Sequence, residues 1–473
     1  MVRLGLNDDE GFVALRERFS GTVLLPGDDG YDDARRVHNG MIDRRPAVIA
    51  RCSGTADVVD ALAFGLGRDL LIAVRGGGHN VAGRAVCDNG MMIDLSLMKG
   101  IWVDRNTMRV RAQAGVCWAE FNRATQLHGL ATTGGAVGST GIAGLTLGGG
   151  FGYLMGKYGY TIDNLISVEL VTATGDVLIA SADRNPELFW GLRGGGGNFG
   201  IATSFEYELH PVGPTVHGGM IAFSFADARQ VLHFTCRLAE TPDEEFVMAT
   251  SLTHAPDGSG TKLVALVPCH CGNPETVASA IKSLREISDP VVDRLGPISY
   301  CEMNQVLDPS FPRLALNYWK SCFVPSLTDD VIQVLIEQFE SCPSAMSKII
   351  IENPHGAALR LSSTDAAFPH RSGGFSILIL SQWSDANDSE RNTFWARETF
   401  RRLEMHAASR AYSNYMDDDE TIARVRQAYG DNFERLQRLK DRYDPGNIFH
   451  LNQNIPPSSR PPVEGKHPQA WVT

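Results

Sequence analysis

The sequence has few means of tying itself together covalently. Its nine cysteines, at 52, 87, 117, 236, 269, 271, 301, 322 and 342, are odd in number and scattered through a 473-residue chain too long to need staples. That excludes a disulfide framework and points to a reducing compartment. Long hydrophobic runs are missing too, since no apolar stretch approaches the ~18 residues a bilayer span requires. The opening MVRLGLNDDEGF has no basic segment followed by an apolar stretch of signal-peptide length. A cytoplasmic protein with no membrane partner is expected. Positive charge is in deficit, with 43 Lys and Arg against 55 Asp and Glu for a net charge of −12, which argues against nucleic acid as a partner. What is abundant is glycine: 48 residues, about a tenth of the chain against a usual ~7%, and clustered.

Length alone suggests two or three domains, at about 150 residues each. Phe12, Leu15 and Phe19 recur at helical spacing behind Asp8 and Asp9, which predicts a short capped helix. Val48-Ile49-Ala50, a helix capped at Ser53-Gly54-Thr55, and a strand over Leu70 to Val74 form a βαβ pattern. Short strands broken by glycine loops follow, at 91–93, 108–112, 167–173 and 201–209. In the last, Ile201, Thr203, Phe205, Tyr207 and Leu209 alternate with small or charged residues, as in a half-buried strand. Beyond Pro211-Val212-Gly213-Pro214 the glycine loops stop. Strands at 262–267, 348–352 and 375–381 interleave with amphipathic helices around Val277 to Leu284, Val331 to Phe339 and 392–403, suggesting a second, α+β domain. A helix is expected over 421–443, and the proline-rich tail from Pro456 has no core pattern.

The glycines concentrate in three loops: Arg75-Gly76-Gly77-Gly78-His79-Asn80, the run from Gly144 through Gly148-Gly149-Gly150 to Gly152, and Arg193 through Gly197-Asn198-Phe199-Gly200. Such loops can aim several N–H groups at one anion and let a ligand approach the backbone, so a diphosphate is the natural tenant. Gly195, Gly197 and Gly200 satisfy G-x-G-x-x-G, but the dinucleotide motif needs a following helix, and here a strand pattern follows. The Rossmann reading is rejected. No metal is expected: His79 has no second ligand at metal spacing, and Cys269-His270-Cys271 has no partner cluster.

These loops, with Lys157-Tyr158-Gly159, Asp163-Asn164, Tyr443-Asp444-Pro445-Gly446-Asn447 and Asn452-Gln453-Asn454, occur in an order and at spacings that make the chain similar to a known group. From about residue 20 to 457 it resembles the berberine bridge enzyme-like FAD-linked oxidases of the vanillyl-alcohol oxidase superfamily, most of all bacterial members of secondary metabolism. The resemblance implies an α+β, two-domain fold. Its FAD-binding domain would comprise 1–212 with a C-terminal return at 410–473, and its substrate domain, 213–409, would roof the flavin with an antiparallel sheet backed by helices. The implied cofactor is FAD, bonded covalently to His79. Bicovalent members add a cysteine at the position of Val137, so no cysteinyl link is expected. The implied cofactor contacts are Arg75, Gly76, Gly77, Gly78, His79, Asn80 and Gly83; Val137, Gly138, Ser139 and Gly141; Gly144, Gly148, Gly149 and Gly152; Gly197, Asn198, Gly200 and Ile201; and Asn452 and Asn454.

The same resemblance implies hydride transfer from a C–H bond beside oxygen or nitrogen of a small-molecule alcohol, amine or polyketide-like substrate, with molecular oxygen taking the electrons. A base must accept the accompanying proton. Tyr412, in the family's Tyr-x-Asn segment, is the first candidate; as an ordinary buried tyrosine its hydroxyl would merely satisfy a hydrogen bond. Glu352 is the second, because a carboxylate closing the apolar run Ile349-Ile350-Ile351 is destabilising unless paired or functional. Gln382 and Trp383 are weaker pocket candidates. Two alternatives stay open: a dehydrogenase or oxygenase of the same fold with another acceptor, and a non-catalytic flavin carrier.

Overall fold

A computed structural model describes residues 10–459 of the chain. The helix Glu10–Arg18 buries Phe12 and Leu15 as expected, while Asp8 and Asp9, the expected caps, lie outside the described residues, as does the tail from 460 onward. Strands Val48–Arg51 and Ile72–Arg75 flank the helix Thr55–Leu66, but do not touch: both run parallel to Met91–Asp94, inserted between them. With Thr22–Leu24 on the edge they form a four-stranded sheet. A second, antiparallel sheet has five strands, in the order Ile101–Asp104, Arg109–Gln113, Ile201–Glu208, Leu165–Val171 and Val177–Ser181.

The strand Ile201–Glu208 departs from the half-buried pattern. Its first five residues are all buried, and alternation appears only at Glu206 and Glu208. Both faces of its first half are therefore covered, as in a strand packed between two layers.

Past residue 214, nine strands form one antiparallel sheet, whose main path ends with Lys262–His270, Phe246–His254, Lys348–Glu352, Phe375–Trp383 and Leu316–Val324. Period-two alternation sorts its side chains between two faces. Leu252, Ile349, Ile351, Ile377 and Ile379 pack in one core with the helices Ala228–Glu240, Asp329–Glu340 and Ser389–Glu404. Ile350, Leu378, Leu380 and Trp319 point the other way and meet Val81, which follows the first glycine loop.

Two features join the halves. The connection between Glu352 and Phe375 reaches onto the glycine loops: Phe368 donates its N–H to Arg193 O at 3.0 Å, and Arg371 clasps Asp163 through two bonds of 2.7 and 2.6 Å, both side chains buried. The C-terminal segment packs Tyr429, Phe433, Leu436, Leu439 and Phe449 into the core of the first two sheets. The single helix expected over 421–443 is two, Ile422–Tyr429 and Phe433–Tyr443, because Gly430 takes φ +52° and breaks the ladder between them.

Candidate active site

Between the glycine loops and the large sheet lies a cavity of about 370 Å³. Its floor is the three glycine loops, its roof the Ile350 and Leu378 face of the sheet, and its end walls come from 412–415 and 449–453. The second glycine loop does not begin as a loop. Ile142–Leu147 is a short helix, because Ile142, Ala143, Thr146 and Leu147 fall on one buried face.

The floor glycines do different work. A Cβ on Gly77 would collide with the backbone of Gly141, and one on Gly141 with that of Gly77, so this pair lets two loops cross in direct contact. Gly149, at φ +127°, would strain any other residue, and its Cβ would lie 2.8 Å from the Phe368 ring. At Gly144 and Gly197, by contrast, a Cβ would meet no atom within 4 Å, since both border the cavity. Among the described lining glycines outside the positive-φ region, these two are the ones whose replacement would fill space rather than displace protein.

His79 stands at the tip of the first loop, in the cavity wall. Its Nε2 is 2.9 Å from Ser139 Oγ, its Nδ1 3.3 Å from Thr140 Oγ1, and its ring stacks on His38 with centroids 4.1 Å apart. Burial pushes His79 down to about 3, helped by His38 and Arg313, and pushes His38 down to about 4. Both imidazoles are neutral at physiological pH, and a neutral ring nitrogen is a nucleophile.

Glu352 ends its strand on the cavity face, paired with Ala249 and Ser376 across the sheet. Tyr415 Oη lies 3.2 and 3.1 Å from the two carboxylate oxygens as a donor, and Ser376 Oγ donates at 3.5 Å. Burial outweighs these donors and holds the Glu352 carboxyl up at about 7. Tyr412, three residues before Tyr415, stacks on Phe151 with centroids 4.4 Å apart. Its hydroxyl accepts from Gly150 N and from Asn414 Nδ2, each at 3.0 Å, while burial pushes its acidity further from neutrality than an ordinary tyrosine's.

Of the residues expected at the cofactor, Gly76, Gly77, Gly78, His79 and Asn80 line the cavity, as do Val137, Gly141, Gly144, Gly148, Gly152, Gly197, Gly200, Ile201 and Asn452. Arg75, Gly83, Gly138, Ser139, Gly149, Asn198 and Asn454 stand outside the wall. Several have evident structural work. Arg75 turns back toward Asp94, 3.7 Å away, a Cβ on Gly83 would strike Ile42, and Asn198 ties its loop to the C-terminal segment through Gln453 O and Ile455 N. Gly138 N donates to Asp308 at 2.7 Å, and Ser139 reaches the site only through His79. Gln382 and Trp383 do not line the cavity: Gln382 donates to Asn317 and Trp383 to Ser389. The sequence reading missed Tyr415, Tyr153, Arg84 and His38. Only Tyr415 carried a signal, its place beside Tyr412 in Tyr-Ser-Asn-Tyr.

The wall fits an elongated group that is polar in its middle and flat at one end. Gly144 and Gly197 leave room on the floor. Arg84 Nε, Asn452 Oδ1, Gln453 Oε1 and Tyr153 Oη are buried without partners among the described residues, all on lining side chains. Aromatic and aliphatic side chains make up most of the roof.

A family described as FAD binding domain matches residues 46–181, and one described as berberine and berberine-like matches 411–456. The chain is similar to (R)-6-hydroxynicotine oxidase of Paenarthrobacter nicotinovorans, 30% identical over 457 residues that span 92% of this chain and 97% of that one. An FAD-linked oxidoreductase of Dictyostelium discoideum is 28% identical over 93% of this chain and 96% of its own. Among solved structures, 6-hydroxy-D-nicotine oxidase from Arthrobacter nicotinovorans superposes with a TM-score of 0.84 at 28% identity, covering 92% of this chain and 98% of that one. Berberine bridge enzyme from Eschscholzia californica shares the fold at a TM-score of 0.84 and 19% identity, over 95% of this chain and 100% of that one.

Proposed function

The chain belongs to the berberine bridge enzyme-like family of FAD-linked oxidoreductases, and from that premise we propose that it is a singly tethered oxidase of lipophilic alcohols, amines or polyketide-like molecules. In this reading residues 1–212 and 410–473 hold the cofactor and 213–409 the substrate. FAD, when bound, supplies hydride acceptance from a C–H bond beside oxygen or nitrogen and hands the electrons to molecular oxygen. His79 supplies the ring nitrogen of the one covalent bond to the flavin, and Val137 offers no sulfur for a second.

The observation that carries the reading is Glu352, the only carboxylate among the described residues of the cavity wall, on a sheet face it shares with Ala249, Ile350, Leu378 and Trp319. A carboxyl near 7 is half ionised at neutral pH and is poised to accept a substrate hydroxyl or amine proton. Tyr415 bridges both of its oxygens, fixing their direction and favouring the ionised form. Tyr412 ranks below it, because burial outweighs the two donors at its hydroxyl and moves its acidity away from the working range. The hydrocarbon roof keeps water from the reacting face and favours ring-bearing lipophilic substrates over saccharides.

The test is anaerobic flavin reduction by a panel of such substrates, followed against pH. Reduction is expected to rise with pH through about 7, and Glu352→Gln to slow it about 10²- to 10⁴-fold and erase that limb. A parent-like pH profile in the glutamine variant would overturn Glu352 as the base. Peroxide release under air tests oxygen as the acceptor.

A further inference from the structure

Among the described residues lining the cavity, Arg84 is the only lysine or arginine. It lies five positions beyond His79, and its side chain is held in place. Nη1 donates to Asn452 O at 2.6 Å, Nη2 sits 3.4 Å from the Asp418 carboxylate, and the buried Nε has no partner among the described residues. Asp418 is shared, because Arg44 approaches it at 3.5 Å while donating to Gly83 O and Val86 O. Two guanidinium groups therefore face one carboxylate there. Asp417, the next acid, is held up at about 6 by burial and already accepts Trp319 N.

Arg84 also has a defined place relative to the glycine loops. Tyr429 is close enough to act on it electrostatically, and the Tyr429 hydroxyl lies 3.8 Å from where a Gly196 Cβ would be. The cation thus sits between the first and third loops, beside the Asn452 end of the cavity, with Glu352 on the roof. A guanidinium stays charged even where burial works against it, and it matches phosphate oxygens in geometry. The loops offer only neutral N–H groups, and the chain as a whole is acidic, at −12. A full positive charge beside a dianion held there would add to what those N–H groups supply.

We propose that Arg84 is the counter-charge for the diphosphate of the cofactor, with its free Nε–H turned to the phosphate oxygens. The inference rests on the reading of the cavity as an FAD site and adds the residue that would supply its charge.

The full chain carrying His79→Ala, freed of flavin, is titrated with FAD, ADP and riboflavin at low and moderate salt. A further Arg84→Met change is expected to weaken FAD and ADP about ten- to hundred-fold, as loss of a charge-assisted bond does, with riboflavin affinity unchanged and the salt dependence reduced. Arg84→Lys should recover part of the lost affinity. FAD and ADP affinities in the methionine variant that match those of the His79→Ala protein would overturn the proposal. So would a parallel loss of riboflavin affinity, which would put Arg84 at the ring or in the fold. If the folded His79→Ala protein with Arg84 intact binds neither FAD nor ADP, the FAD reading itself fails and the inference goes with it.

Discussion

The floor of the cavity presents backbone, and its roof presents side chains. On the floor, Gly77 and Gly141 cross in contact, Gly144 and Gly197 leave space, and the one reactive side chain, His79, is held between Ser139 and His38. On the roof, a strand face displays Ile350 and Glu352 beside Leu378 of the neighbouring strand, and chemistry depends on which side chain the pleat turns inward. A floor of that kind suits a group common to many enzymes, because backbone N–H groups are the same whatever the sequence. The roof differs with each side chain the pleat turns inward, and in the proposed reading substrate choice belongs there.

The largest effect expected is on the floor. His79→Ala should abolish flavin fluorescence of the denatured protein, and digestion of the parent should find flavin on the His79 peptide alone. A cysteine peptide carrying flavin would break the single-tether assignment. Next comes the contrast between candidate bases: Tyr412→Phe should slow anaerobic flavin reduction far less than Glu352→Gln, whose loss is set at about 10²-fold or more. If the order is reversed, the proton goes to the end wall rather than the roof.

The floor itself can be split. Gly197→Val should yield folded but colourless protein, since its side chain enters open cavity, whereas Gly149→Val should lower the melting temperature as well, through strain at φ +127° and the clash with Phe368. Equal melting temperatures would mean that the two glycines do the same work. A smaller effect is expected from Tyr415→Phe, which removes a donor to the Glu352 carboxylate. The pH limb of flavin reduction should move upward from about 7, and a limb that stays put would separate Tyr415 from the base.

The smallest effect sets floor and roof against each other in the flavin-free protein. His38 and His79 are depressed to about 4 and 3, so the stability they contribute is complete above their unfolded value near 6.5 and is lost as pH falls through the folded values. Glu352 is raised to about 7, so its contribution is complete below its unfolded value near 4.3 and is lost as pH rises through 7. His38→Phe should flatten the acid-side fall in melting temperature, and Glu352→Gln the fall toward neutral pH. Identical profiles for both variants and the parent would remove the contrast.

The floor was legible in the sequence because a glycine loop is a local object. Gly76-Gly77-Gly78-His79 can be read from consecutive residues, and so could the strand after the third loop that excluded a dinucleotide fold of the usual kind. Glu352 was legible for a similar reason, as a carboxylate closing an apolar run. The break at Gly430 and the burial of both faces of Ile201–Glu208 were not, since each depends on what packs around the segment. Nor was the division of labour among glycines: Gly149 and Gly197 look alike in the sequence and meet opposite surroundings.

By itself, then, the sequence determined the loops, the histidine at the tip of the first of them and the α+β alternation, which follow from local conformational freedom and short-range periodicity. Only the tertiary structure decided that Tyr415 meets Glu352, that His38 covers His79 and that Arg84 is the lone lysine or arginine among the described residues of the wall. Those partners lie 63, 41 and, from Arg84 to Asn452, 368 positions apart, and no local rule brings such residues together. Burial then moves Glu352 toward neutrality and the histidines away from it, because a charge's free energy depends on the packing that surrounds it.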